Sequence, residues 1–234
     1  MSHALFISYT GPGAHAAALT AWFEDQPLTT LKARAEVRSI DLFGFEKAHD
    51  PYLDDGDGPL LLVDLGFDDV AGMEAALAGG DFLAALPVPD CAVTLDAFKI
   101  LRQTLPGDTA PPPERTAPMS YVVRYYRPAE DEQAFSDFYV ENHPPLLAEF
   151  PNIRGVMCFL PVAWNNPTAI PMADCMLGNE VVFDTVEDFD AAMASDVRHR
   201  LREDYMNFPK FSGPVTHFMM RRRSVVLCRR SVAL

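Results

Sequence analysis

Several absences narrow what this 234-residue sequence can be. No apolar run approaches the roughly 18 residues needed to span a bilayer, and Met1-Ser2-His3 lacks the basic start and long apolar core of a secretory leader. The expectation is a cytoplasmic protein that uses no membrane. The four cysteines, Cys91, Cys158, Cys175 and Cys228, have no C-x-x-C spacing and no neighbouring histidine, so neither a zinc site nor a disulfide framework is expected. Basic residues are few, 19 against 33 acidic, and the net charge of −14 would repel a polyphosphate backbone. Nucleic acid is therefore not an expected partner. There is no G-x-G-x-x-G, no P-loop and no G-x-S-x-G, which leaves nucleotide cofactors and a serine nucleophile without support.

What is present reads as a folded protein, with 49% hydrophobic and 22% charged residues. One stretch, 106–118, carries five prolines together with Gly107 and Asp108, and it reads as a linker near the middle of the chain. Comparing the flanks at a fixed offset of 116 residues brings the strand-like Ala4-Leu5-Phe6-Ile7-Ser8-Tyr9 onto Ser120-Tyr121-Val122-Val123-Arg124-Tyr125. The same offset places Leu19, Trp22 and Phe23 on Phe135, Phe138 and Tyr139, each set spaced as one face of a helix. A later pair of helical stripes, around Val70–Leu77 and Val186–Met193, follows an apolar strand in both flanks. With further strands near 37–42, 91–95, 155–160 and 215–220, each flank reads βαββαβ, the ferredoxin-like order. The predicted organisation is an α+β chain with a first repeat over 1–105, a linker over 106–118 and a second repeat over 119–234. A sheet with helices on one face leaves the other bare, and two repeats in one chain can bury those faces together.

The run Tyr121-Val122-Val123-Arg124-Tyr125-Tyr126, followed by Phe135-x-x-Phe138-Tyr139-x-x-x-His143-Pro144-Pro145-Leu146, resembles the EthD-like branch of the dimeric α/β-barrel superfamily. The specific resemblance spans about 30 residues; at the level of fold it covers both flanks. It implies an intramolecular dimeric α/β-barrel and a cavity between sheet and helices for a small, largely apolar compound. Superfamily members include cofactor-free monooxygenases, cyclases, isomerases, dehydratases and haem-binding enzymes, so the fold leaves the reaction open.

Phe135, Tyr139 and His143 are spaced i, i+4, i+8 and form one column on a helix. Pro144 disfavours helical geometry at the residue before it, so His143 is expected at the helix C-terminus, where the dipole would raise its pKa and burial would lower it. Its expected role is general acid or base, with capping of the last carbonyls as the plain alternative. The first repeat has Pro27 at the matching position and lacks this group, so one site is expected in the chain. Tyr139 and Tyr125 are the remaining catalytic candidates, as donors to a developing oxyanion. Asn142, Tyr126, Phe138 and Trp164 are expected around the substrate. Which of Tyr125 and Tyr126 faces the cavity stays open, since neighbours on a strand alternate.

Three features draw bland readings. The acidic run Asp50 to Asp57 lacks the spacing of an EF-hand and reads as an exposed turn. His199, between two arginines, reads as solvated. The cluster Arg221-Arg222-Arg223 with Arg229-Arg230 reads as a solvated or edge-protecting end of the last strand. His217 shares a strand face with Met219 and could meet either cavity or core.

The leading expectation is an enzyme of lyase or isomerase type performing cofactor-independent acid/base chemistry on a small aromatic or polyketide-like carbonyl compound. The alternatives are a monooxygenase or haem-linked oxidoreductase, and a non-catalytic binder of a small hydrophobic ligand. No cofactor and no metal are expected in the leading reading, and haem belongs to the alternative. Whether the chain associates further with copies of itself stays open.

Overall fold

A computed structural model describes residues 2–78 and 85–227. Cys228, Arg229 and Arg230 lie outside the described residues. Eight strands form one closed antiparallel barrel: β1 (His3–Thr10), β2 (Ser39–Phe45), β3 (Leu61–Phe67), β4 (Ala92–Arg102), β5 (Met119–Tyr126), β6 (Gly155–Pro161), β7 (Cys175–Phe183) and β8 (Val215–Ser224). Around the barrel the order is β1-β3-β2-β8-β5-β7-β6-β4. The halves are joined by two ladders, β2 with β8 and β4 with β6.

Among the described residues six α-helices pack outside: α1 (Ala16–Asp25), α2 (Pro27–Lys32), α3 (Val70–Leu77), α4 (Glu132–Leu147), α5 (Val186–Met193) and α6 (Asp196–Tyr205). Three starts are fixed by side-chain caps that satisfy an otherwise unpaired amide: Asp69 accepts from Gly72, Asp131 from Ala134 and Thr185 from Asp188. None of the described helices is long and apolar enough to cross a membrane.

Alternation along the strands sorts residues into two environments. On β1, Leu5, Ile7 and Tyr9 join the first half's helix-facing core, whereas Ala4 and Phe6 belong to the lumen cluster shared with Phe98, Phe159 and Val182. On β5, Tyr121, Val123 and Tyr125 face the helices, and Val122 faces the lumen. Both faces of such strands are covered, which is why β3 and β7 are buried along their whole length.

Four expectations change. The 106–118 segment is more than a spacer, because Arg115 enters one end of the barrel. Its guanidinium forks onto Glu180 at 2.8 and 2.9 Å and pairs with Asp64 at 2.7 Å and Asp41 at 3.2 Å. The carboxylates come from β7, β3 and β2, so this one cation links strands of both halves. Arg221 and Arg223 are solvated as expected, at 57% and 55% exposure, but the three arginines guard no sheet edge, since β8 is paired on both sides. Arg222 is buried against Asp41 at 3.0 Å, Arg221 pairs with Glu46 and Arg223 with Glu24.

The acidic run is not merely an exposed turn either: Asp50 is 7% exposed and lies against the second half. Finally, the first long helix of the second half does not stop at His143. α4 continues through Pro144 and Pro145 to Leu147, because the burial of Pro144 and Leu147 offsets the lost helical bonds. The first half behaves differently at the matching position, where Pro27 begins a separate helix.

Candidate active site

A cavity of about 410 Å³ lies between the helix-facing side of β5, β7 and β8 and the helices α4 and α6. Its rim includes Asp50, Leu53 and Asp55 from the first half, so one half supplies the pocket and the other helps close it.

α4 presents Phe135, Tyr139 and His143 as one buried column, as the i, i+4 spacing requires. His143 lines the cavity, and its Nδ1 lies 2.7 Å from Oδ2 of Asp204 on α6. Both side chains are largely enclosed, at 9% and 12% exposure. Burial holds the imidazole below its usual pKa, opposed by the hydrogen bond and charge of Asp204. A neutral ring beside a carboxylate places its proton on Nδ1, which leaves the Nε2 lone pair available. Nε2 has no hydrogen bond among the described residues. The expected rise from a helix C-terminus does not operate, because the helix runs on for another turn and desolvation dominates.

A second imidazole lines the same space. His217 on β8 brings Nδ1 to 2.8 Å from Oδ2 of Asp55, and the same oxygen accepts from the His217 backbone amide at 2.7 Å. Its pKa is also lowered, first by burial. Beside it, Asp50 accepts from the Tyr121 hydroxyl at 3.0 Å and from Nη2 of Arg198 at 2.8 and 2.9 Å. The loop of the first half is thus held on the second by two carboxylates, each with a dedicated partner.

Of the residues expected to act with His143, Tyr125 lines the cavity. Burial pushes its hydroxyl far above the usual tyrosine range, so it remains a hydrogen-bond donor at any ordinary pH. Tyr139 is fully buried behind the wall, its ring 4.8 Å from that of His143 and its hydroxyl bonded to the Asn179 amide. It supports the histidine from the side. Tyr126 faces the lumen instead, which answers the question of alternation.

Asn142 donates to the carbonyl of Phe138 at 2.8 Å, one turn back on its own helix, and Phe138 packs on Phe208. Trp164 packs on the core of the first half. The structure does not bring these three to the cavity. His199 is exposed and bonds Tyr52.

Reading the sequence missed Asp204, Asp50, Asp55 and Arg198, and it underweighted His217. Asp204 had a signal, since Leu201, Asp204 and Tyr205 share one helical face at i, i+3, i+4. The two loop aspartates had none, because their partners lie more than 70 residues away.

Comparison with known proteins supplies a frame for this geometry. No curated protein sequence matches the chain. Among solved structures, an anthrone oxidase-like protein superposes with a TM-score of 0.63 at 15% identity, over 99% of this chain and 96% of that one. A monooxygenase-like protein from Fusobacterium nucleatum gives a TM-score of 0.57 at 10% identity, covering 95% and 94%. A variant of chlorite dismutase from Candidatus Nitrospira defluvii gives 0.51 at 11% identity, covering 93% and 90%. At such identities the likeness concerns the fold, an eight-stranded dimeric α/β-barrel. Residues 127–212 match the model of the EthD domain family, a span in the second half that holds α4, His143 and Asp204.

Proposed function

We propose that this protein is a cofactor-independent enzyme that moves a proton on a small aromatic or polyketide-like carbonyl compound, with His143 as the base. The observation that carries the reading is the His143–Asp204 pair beside a cavity of about 410 Å³, with Nε2 unpartnered among the described residues. That volume falls within the roughly 300–1,000 Å³ usual for small-molecule sites. Nε2 takes a proton from the carbon next to the carbonyl, and the electron pair of the broken C–H bond moves onto the carbonyl oxygen. Asp204 steadies the imidazolium so formed. Tyr125, which lines the cavity, donates a hydrogen bond to the enolate oxygen in this reading. Return of the proton to another atom completes an isomerisation; its transfer to a departing hydroxyl completes a dehydration.

The test is exchange of the acidic C–H protons of anthrone or 1-indanone in deuterated water, followed by NMR. The wild-type chain should accelerate exchange, and His143→Gln should slow it by about 10²–10⁴-fold. An unchanged rate in folded His143→Gln would sink the assignment.

Two other readings share this cavity. The likeness to oxidase-like and monooxygenase-like folds favours reaction of the same carbanion with dioxygen, which would appear as oxygen uptake dependent on His143. A non-catalytic binder would be stabilised thermally by anthrone without exchanging its protons. Haem fits the residues poorly. Its two propionates need cations, yet of the arginines lining the cavity Arg198 is committed to Asp50 and only Arg202 remains, while Asp50 and Asp55 already stand at the rim. Adding haem should give no shifted Soret band.

We also read the chain as two fused ferredoxin-like repeats, 1–105 and 119–234. In support, the strands of each half run in the order fourth, first, third, second.

A further inference from the structure

The lumen of the barrel has a second cavity, of about 220 Å³, far along β5 from the Arg115 plug. Arg124 of β5 reaches into this region and is only 7% exposed. Its guanidinium lies over the rings of Phe6, Phe159 and Phe98, at 4.6, 4.9 and 5.5 Å from their centroids. Gly178 leaves the space it occupies, since a Cβ there would stand 3.0 Å from its Cδ and 2.7 Å from Nη1. Nη1 donates to the Val123 carbonyl at 3.0 Å. Nη2 is buried with no acceptor, and no carboxylate forms an ion pair with Arg124 among the described residues. A buried cation that makes no ion pair is costly, and Asp96 acts on this one through space without bonding it. Arg115 and Arg222 at the other end of the lumen are paired with acids, whereas Arg124 lies against aromatic faces and makes no ion pair among the described residues.

We propose that the lumen cavity is a second ligand site, for a short-chain monocarboxylate whose carboxylate is held by Arg124. A carboxylate supplies both the missing charge and the acceptors that a guanidinium fork requires. The hydroxyls of Thr94, Thr216 and Tyr126 line the same cavity, and Leu62, Val122 and Phe218 form an apolar wall for the carbon chain. One negative charge suits the site and two do not, because Asp96 and, on its exposed side, Asp57 also line it. Arg127 and Asp174 are the other charged groups acting on Asp96, and burial pushes its carboxyl up to about 7. The volume is below the roughly 300 Å³ at which drug-sized ligands begin, which limits the chain to a few carbons.

Butyrate is the probe, titrated into the full chain at pH 8 and followed by saturation-transfer NMR and calorimetry. Binding is expected, with butylamine failing to bind. Arg124→Met should weaken butyrate by about tenfold or more, and Asp96→Asn should tighten it by about tenfold by removing a like charge. His143→Gln should leave it unchanged, which separates the lumen from the cavity outside it. If Arg124→Met fails to fold, the sign of the Asp96→Asn effect decides. No binding to the wild type overturns the proposal. So does binding that Asp96→Asn leaves unchanged or weakens, binding lost in His143→Gln, or equal displacement by chloride, which would indicate an unspecific anion.

Discussion

The two halves put similar scaffolds to different uses. At the 116-residue offset, Tyr9 stands where Tyr125 does, but Phe23 replaces Tyr139, Val63 replaces Asn179 and Pro27 replaces His143. In the first half this space is packed: Tyr9 meets Trp22 and Phe23 edge to face at 6.3 and 6.4 Å, and Leu28 and Leu31 are buried below them. In the second half polar groups stand at the matching places and a cavity remains. The first half has no such cavity there but supplies a lid to the second, since Asp50 and Asp55 reach across to Arg198, Tyr121 and His217.

The largest effect should come from breaking the joint between the halves. Arg115→Met leaves Asp41, Asp64 and Glu180 buried without their shared cation, a loss of about 3–5 kcal/mol measurable by urea unfolding. A shift under about 1 kcal/mol would mean the halves are held by the ladders alone.

Asp50→Asn should cost about 2 kcal/mol, because it strips a buried guanidinium of its bidentate partner. If the two halves are functionally coupled, the same change also lowers exchange activity; full activity would show that the lid is dispensable.

The pH profile sharpens the role of Asp204. A base with a lowered pKa is active when unprotonated, so the rate should rise with pH through a midpoint below 6.5 and then level off. Asp204→Asn removes the influence that raises this pKa, and the rising limb should move to still lower pH while the plateau falls. The same shift bears on stability. The unfolded chain takes up a proton on His143 below pH 6.5 before the folded chain does, so this contribution falls as pH drops through that value. Comparing unfolding of wild type and His143→Gln between pH 7 and 5 measures it.

The smallest effect tests the packed half. Pro27→His should create no second active centre, because the neighbouring space is filled by Tyr9 and Phe23. Exchange activity of Pro27→His combined with His143→Gln should equal that of His143→Gln alone.

Local rules made much of this visible in advance. Alternation on β1 and β5 and the Phe135, Tyr139, His143 column follow from periods of two and 3.6, which any stretch of sequence displays. The helix end at His143 was misread because the rule about residues before proline is local, whereas the burial of Pro144 and Leu147 that overrides it is tertiary. Barrel closure through β2–β8 and β4–β6, the Asp204 partner and the Asp50 loop depend on contacts between distant residues. No window of sequence contains both members of such a pair.

Arg115 gives the proline-rich segment a measured length. Only Thr116, Ala117 and Pro118 separate it from the start of β5, and its bonds to Glu180, Asp41 and Asp64 fix it against strands of both halves. Chain added between Gly107 and Pro111 can loop outward, whereas a single residue added after Arg115 would pull the guanidinium out of reach of Glu180 or push β5 out of step with its neighbours. The segment works less as a tether than as a key cut to one depth.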